Sequence, residues 1–232
     1  MAGGKKSDLG VRTVSAVVML AVAGGALWAG GWVWGLFVGA VGLGVFVEWC
    51  ALARKLTASA AGRAAWYLAG LAYVGLAVTT LYLLRGLVPP VGATPLVVVL
   101  GGVIATDVGA YFAGRTIGGP KIAPAISPSK TWAGLAGGMV GATAATFITF
   151  ALSSGMTANP LEKVAIGCVI AVVSQLGDFF ESWMKRRAGV KDSGRLIPGH
   201  GGLLDRADGL MAVLFVLGLV TGIATGFTMA AQ

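Results

Sequence analysis

From residue 11 to residue 53 the chain is almost wholly apolar, about twice the roughly 20 residues that cross a bilayer as one helix. A stretch of that kind leaves few folds open. In hydrocarbon every backbone N–H and C=O must be satisfied within the segment, which restricts a run so long to helices. The Gly30-Gly31 pair divides it into two spans joined by a tight turn, with Trp28, Trp32 and Trp34 clustered there as an interfacial aromatic belt would be. Further apolar runs follow over residues 64–84, 94–113, 131–153, 161–183 and 207–229. Only 11% of residues are charged, against about 25% in soluble domains. The expected fold is an all-α integral membrane protein, a polytopic transmembrane helix bundle of about seven spans. It reads as one membrane domain in three parts: a polar cytoplasmic tail (1–10), an N-terminal three-span region (11–93), and a catalytic four-span region (94–232) with cytoplasmic loops at 114–130 and 188–204. The fifth span is rich in Gly and Ala, which let helix backbones approach closely, and is expected inside the bundle. Trp49, Trp66, Trp132 and Trp183 are expected as anchors at the inner interface.

Charge orients the bundle. With the N-terminus in the cytoplasm, Arg85 and Lys163 alone among the 17 Lys and Arg fall on the outer side, the usual sign of the positive-inside bias. The net charge of +8 flanks apolar runs, so the partners it implies are anionic membrane lipids and a nucleotide, and no nucleic acid. The first residues do not form a signal peptide, since no cleavage site follows the first apolar run. Cys50 and Cys168 have neither a disulfide framework nor metal-ligand spacing. Seven of the nine acidic residues, Glu48, Asp107, Asp178, Glu181, Asp192, Asp205 and Asp208, fall at cytoplasmic span ends or in cytoplasmic loops. Carboxylates within spans are costly and face polar cavities, so acids brought to one level by four helices point to one shared cavity.

The most polar stretch is residues 174–209. On its helical first half Asp178, Glu181, Ser182 and Lys185 are offset by three, four and seven residues, which puts them on one face. Its second half is punctuated by Gly189, Gly194, Pro198, Gly199, Gly201 and Gly202 and carries Lys191, Asp192, Arg195 and His200. The chain then re-enters a helix through Asp205, Arg206 and Asp208. Carboxylates beside Lys, Arg and Gly-rich backbone suit a metal–polyphosphate site. A second constellation closes the fourth span with Asp107, Tyr111 and Arg115 and opens the fifth with Ser127, Lys130 and Thr131. Asp107 and Tyr111 are one helical turn apart, and the loop offers cations to anions near a helix N-terminus.

The order Ser182-x-x-Lys185-Arg186, Lys191-Asp192-x-Gly194, Pro198-x-His200-Gly201-Gly202, Asp205-Arg206-x-Asp208 resembles the signature of the phosphatidate cytidylyltransferases, the CDP-diacylglycerol synthases. The Asp107 and Ser127–Thr131 patterns are similar to that family as well, with Ala133 standing where the family usually has Glu. The resemblance covers roughly residues 94–209. It implies an integral membrane enzyme, in the bacterial inner membrane with its site facing the cytoplasm, that joins CTP to phosphatidic acid and releases pyrophosphate.

Under that resemblance Mg²⁺ is the expected cofactor, with a second cation compatible, and Asp178 and Asp205 are its first ligands. Lys130, Lys185, Lys191, Asp107, Glu181 and Asp208 are the expected catalytic groups. Arg115, Ser127, Thr131, Ser182, Arg195, His200, Gly201, Gly202 and Arg206 would bind the nucleotide. A homodimer is compatible with the reading. Three alternatives stand beside it: a CTP-dependent synthase acting on an ether-lipid phosphate, a polyprenol or phytol kinase-like protein, and a cation transporter. The cationic Gly-rich loops speak against the transporter.

Overall fold

A computed structural model describes residues 3–86, 93–153, 157–197, 199 and 201–230, with side chains described within residues 10–222. Seven helices follow in order: α1 (Gly3–Ala29), α2 (Gly31–Leu56), α3 (Ala60–Arg85), α4 (Thr94–Thr116), α5 (Trp132–Leu152), α6 (Pro160–Arg187) and α7 (Leu204–Ala230). Stretches in six of them, beginning at Gly10 in the first, are long and apolar enough to cross a membrane. α7, at 27 residues, has the length of a seventh span.

Most helices run beyond the apolar stretch that marks them, while α5 falls one residue short of its stretch at each end. The polar residues from Gly3 onward are already helical, and the connector expected over 54–63 shrinks to 57–59 because α2 continues to Leu56 and α3 begins at Ala60. Ser59 caps α3 by accepting from Gly62 N. Asn159 and Glu162 form a reciprocal capping box at the start of α6, with Pro160 in the first helical position. Arg187 ends α6, so the polar half of that helix is one continuous rod with its apolar half. The loop expected between α3 and α4 lies largely outside the described residues.

The segment between α4 and α5 is a β-hairpin, β1 (Lys121–Ala123) antiparallel to β2 (Ser127–Thr131), with Lys121 opposite Thr131 and Ala123 opposite Ser127. Gly118 and Gly119 take positive φ of 67° and 93° at its entry, where only glycine is unstrained. Trp132 N donates to Pro120 O at 3.1 Å and closes its base. The hairpin therefore hands the chain straight into α5, whose first N–H groups Thr131 caps by accepting from Gly134 N at 3.0 Å.

Small residues set the closest helix crossings. A Cβ at Gly109 would collide with Gly137 O, and one at Gly141 with Ala105 O, so α4 and α5 meet backbone to backbone. The Gly-rich face of α5 is inside the bundle, as its composition suggests. α6 and α7 cross the same way: a Cβ at Gly177 would stand 2.6 Å from Ala212 Cβ and 2.7 Å from Asp208 O. At the far end of the bundle Arg85 donates to Leu27 O at 3.0 Å, a cation on the last turn of α1. Thr94 and Ser153 share a hydroxyl hydrogen bond of 2.8 Å there.

Aromatic rings gather where α2, α3, α6 and α7 meet. Trp49 packs on Tyr73 with centroids 5.5 Å apart and on Phe180 at 5.8 Å, and Tyr73 packs on Phe215 at 5.0 Å. Trp49 is buried and donates to Trp66 O at 2.8 Å, so it is a core residue and not an interfacial anchor. Trp34 likewise turns inward at 4% exposure, whereas Trp28 and Trp32 are 87% and 76% exposed. The belt at the α1–α2 turn consists of the latter two.

Candidate active site

The polar stretch and the hairpin meet at one end of the bundle. Lys130, next to last in β2, forms an ion pair with Asp178 in α6. Its ammonium also lies 5.2 Å from the Phe179 ring centroid, a placement that favours a cation over the π face. The pair sits on the wall of a polar cavity of about 390 Å³ that Asp107, Tyr111, Arg115, Thr131 and Gln175 also line. That volume lies in the range of about 300–1,000 Å³ usual for small-molecule sites. Arg115 Nη1 donates to Tyr111 Oη at 2.9 Å, which holds the guanidinium along the cavity rim. Asp107 is within electrostatic reach of both Asp178 and Lys130.

A second cluster adjoins the first. Lys185 bridges Glu181, at 2.5 Å, and Asp205 Oδ1, at 2.7 Å. The helical spacing does bring Glu181 and Lys185 together. Asp178, however, turns to the hairpin, so the expected single row divides between two lysines. Asp208 senses Asp178, Lys130 and Lys185 and joins the two clusters. It comes near Asp178 because Gly177 and Gly209, lacking a Cβ, let α6 and α7 approach closely at their crossing; a Cβ at Gly209 would stand 3.0 Å from Asp178 Oδ1.

Asp205 has a different environment from Asp178. Its Oδ1 accepts from Lys185 and from Ser193 N at 3.2 Å, and its Oδ2 from Ser193 N at 3.0 Å and Gly202 N at 2.8 Å. That carboxylate folds the signature loop over the start of α7. Gly201 supports the same fold with φ of 86° and a carbonyl that accepts from Ile197 N at 3.0 Å.

The remaining expected residues spread around this centre. Lys191 and Arg195 project from the loop, exposed, and Arg206 is exposed on the first turn of α7. Ser182 is half-buried on α6, and Ser127 opens β2. Thr131 lines the cavity while capping α5. His200 lies outside the described residues, as does Pro198. Ala133 is half-buried in the first turn of α5.

Five carboxylates, Asp107, Asp178, Glu181, Asp205 and Asp208, gather around two ammonium groups, Lys130 and Lys185. Carboxylates outnumber ammonium groups there, a donor set that suits a hard divalent cation. Among the described residues no three His, Cys, Asp or Glu side chains already converge as a preformed metal cage. Asp178 and Asp208 fit a cation shared with a polyphosphate, since neighbouring carboxylates repel without one. Asp205 fits it less well, because both of its oxygens already accept hydrogen bonds.

Sequence pattern placed Glu48 among the acids of one shared cavity but gave it no role of its own; it is buried at 3% exposure in α2 and hydrogen-bonded to the signature loop. The available signal was an acid inside an apolar run, which is expensive unless it has polar partners.

Residues 57–224 match the cytidylyltransferase family, and the chain belongs to it. It is 37% identical, over 91% of its length and 92% of the relative's, to a phosphatidate cytidylyltransferase of Brucella suis biovar 1 (strain 1330). The same values relate it to a phosphatidate cytidylyltransferase of Brucella abortus biovar 1 (strain 9-941). Over 47% of this chain and 39% of the relative it is 44% identical to a phosphatidate cytidylyltransferase of Haemophilus influenzae (strain ATCC 51907 / DSM 11121 / KW20 / Rd).

Proposed function

We propose that this membrane protein transfers CMP from CTP to phosphatidic acid, giving CDP-diacylglycerol and pyrophosphate. The observation that carries the reading is the Lys130–Asp178 pair on the wall of the polar cavity, inside the stretch that matches the cytidylyltransferase family. The names of the relatives support phosphatidate as the lipid.

A phosphate oxygen of phosphatidic acid attacks the α phosphorus of CTP, a new P–O bond forms, and the bond to the β phosphate breaks as pyrophosphate leaves. The nucleophile is already an anion, so the protein supplies alignment and charge neutralisation more than base catalysis. Lys130 and Arg115 stand beside the cavity where an anion must enter, and Lys191, Arg195 and Arg206 supply further positive charge on and beside the loop. Lys185 holds Glu181 and Asp205 together, so the loop stays folded against the site. Thr131 fixes the start of α5, and with it the position of Lys130 one residue earlier. The acyl chains remain in the bilayer. Asp178 and Asp208 would hold Mg²⁺, which would neutralise triphosphate oxygens when bound. The Lys and Arg distribution supports an orientation with the hairpin and the signature loop in the cytoplasm, where CTP is, in the inner membrane of a bacterium.

The test is purified protein with CTP, Mg²⁺ and phosphatidic acid, following CDP-lipid and pyrophosphate together. Equal amounts of the two products are expected, with ether-lipid and polyprenol phosphates as weaker competitors. Absence of CDP-lipid, or stronger turnover of a competitor, overturns the assignment.

A further inference from the structure

Glu48 lies outside the stretch that matches the family, which begins at residue 57. Its α2 belongs to the N-terminal part of the bundle, to which sequence pattern gives no site residue beyond a place for Glu48 among the acids of a shared cavity. Yet its carboxylate, like that of Asp205, is hydrogen-bonded to the signature loop. Glu48 Oε2 accepts from Ser193 Oγ at 3.1 Å and from Leu204 N at 2.8 Å. Ser193 is thereby held twice, its N–H by Asp205 and its hydroxyl by Glu48. The space for Glu48 exists because two loop residues are glycine: a Cβ at Gly194 would collide with Oε1, and one at Gly202 would stand 2.6 Å from Oε2. Glu48 makes no ion pair among the described residues, and its buried Oε1 accepts no hydrogen bond among them. A buried carboxylate with no cation and one idle oxygen is a costly group. Its two hydrogen bonds, both to the loop, identify what it holds in place.

We propose that Glu48 is a positioning residue of the transfer reaction. From α2 it fixes Ser193 and the first N–H of α7, and so sets the loop that presents Lys191 and Arg195 and leads into Asp205. The three N-terminal helices are then part of the active-site framework and more than a membrane anchor. The catalytic consequence rests on the function proposed above; the mechanical one does not.

The experiment uses the full chain in lipid nanodiscs as wild type, Glu48→Ala, Glu48→Gln, Ser193→Ala and the Glu48→Ala/Ser193→Ala double variant. Trypsin cleavage after Lys191 and Arg195 without substrate reads loop order. Steady-state kinetics read kcat and the KM values for CTP and for phosphatidic acid. Glu48→Ala is expected to speed loop cleavage about ten-fold or more and to lower kcat/KM for CTP by a similar factor, since two hydrogen bonds to a carboxylate are lost. The KM for phosphatidic acid should stay near that of the wild type. Glu48→Gln keeps an acceptor for Leu204 N and should recover most of the loss. Ser193→Ala should cost less than Glu48→Ala, and the double variant should cost less than the two single changes combined, because both remove one shared bond. Unchanged cleavage in Glu48→Ala, or full additivity, overturns the proposal. If Glu48→Ala yields no folded protein, Ser193→Ala decides alone: wild-type cleavage and kcat/KM in that variant refute it. A loop that loosens in a protein whose wild type makes no CDP-lipid would leave the clamp standing and remove the proposed function.

Discussion

Lys130 and Asp178 form an ion pair although 48 residues separate them. One stands at the end of a surface hairpin, the other in the middle of a membrane-spanning helix. The pair fixes the hairpin onto α6 and places an ammonium group at the cavity wall. Replacing Lys130 with Met should leave expression and membrane insertion intact and lower kcat/KM by ten-fold or more, since a hydrogen bond to a charged group is worth about 1.5–3 kcal/mol. Unchanged kcat/KM in a well-folded Lys130→Met protein would make Lys130 a topological charge only.

The three carboxylates Asp178, Asp205 and Asp208 should separate in their response to Mg²⁺. If the proposed Mg²⁺ site is right, Mg²⁺ with CTP stabilises the wild type thermally, and Asp178→Asn and Asp208→Asn should each abolish CDP-lipid formation and remove that stabilisation. Asp205→Asn should also be inactive, because it weakens the bonds to Lys185, Ser193 and Gly202, but should keep a measurable Mg²⁺ shift. Thermal unfolding with and without Mg²⁺ reads the difference. A full Mg²⁺ shift in Asp178→Asn would move the cation to Asp205.

Gly177 and Gly75 make a matched test of helix packing. A methyl group at Gly177 would meet Ala212 and the backbone of Asp208, whereas one at Gly75 would meet nothing within 4 Å. Gly177→Ala should lower stability by about 1–3 kcal/mol, the usual cost of overpacking, and reduce activity by pushing Asp208 from Asp178. Gly75→Ala should be neutral or slightly stabilising, as Ala is the better helix former. Equal thermal midpoints for the two variants would show that the α6–α7 crossing tolerates a wider separation.

Orientation can be read with a single cysteine at Arg187, which is exposed at the end of α6, in a variant with Cys50 and Cys168 replaced. A membrane-impermeant thiol reagent should label it in inverted vesicles and not from outside intact cells. Ser193, although in the signature loop, is only 6% exposed and would label poorly from either side. Labelling of Arg187→Cys from outside would reverse the topology and remove access to CTP.

The spans were legible because hydropathy is a local property: the apolar runs map onto the observed helices to within a residue or a few, and Gly30-Gly31 does divide the first run into α1 and α2. Helix rotation was less so. Trp34 and Trp49 look like interface anchors in a chain of apolar residues, and only the packing of the folded bundle, around Trp49 by rings of α3 and α6, puts them in the core. The hairpin left little trace, since strands of three and five residues, one containing Pro128, lack the alternation that marks a strand. The site residues were legible as a set but not as pairs. Asp178 shares a helix with Lys185, yet a hairpin from elsewhere in the chain supplies its partner. The path of the loop, not the spacing of the motif, gives Asp205 to Ser193 and Gly202.

The close crossing of α6 and α7 at Gly177 and Gly209 has a mechanical consequence. A change of relative tilt displaces two helices least where they approach most closely, and a thinner or thicker bilayer changes helix tilt. Asp178 and Asp208 adjoin the two glycines in sequence, so they sit beside that point, where a change of tilt moves them least. The outer halves of both helices can follow the thickness of the surrounding lipid while the separation of the two carboxylates stays nearly constant.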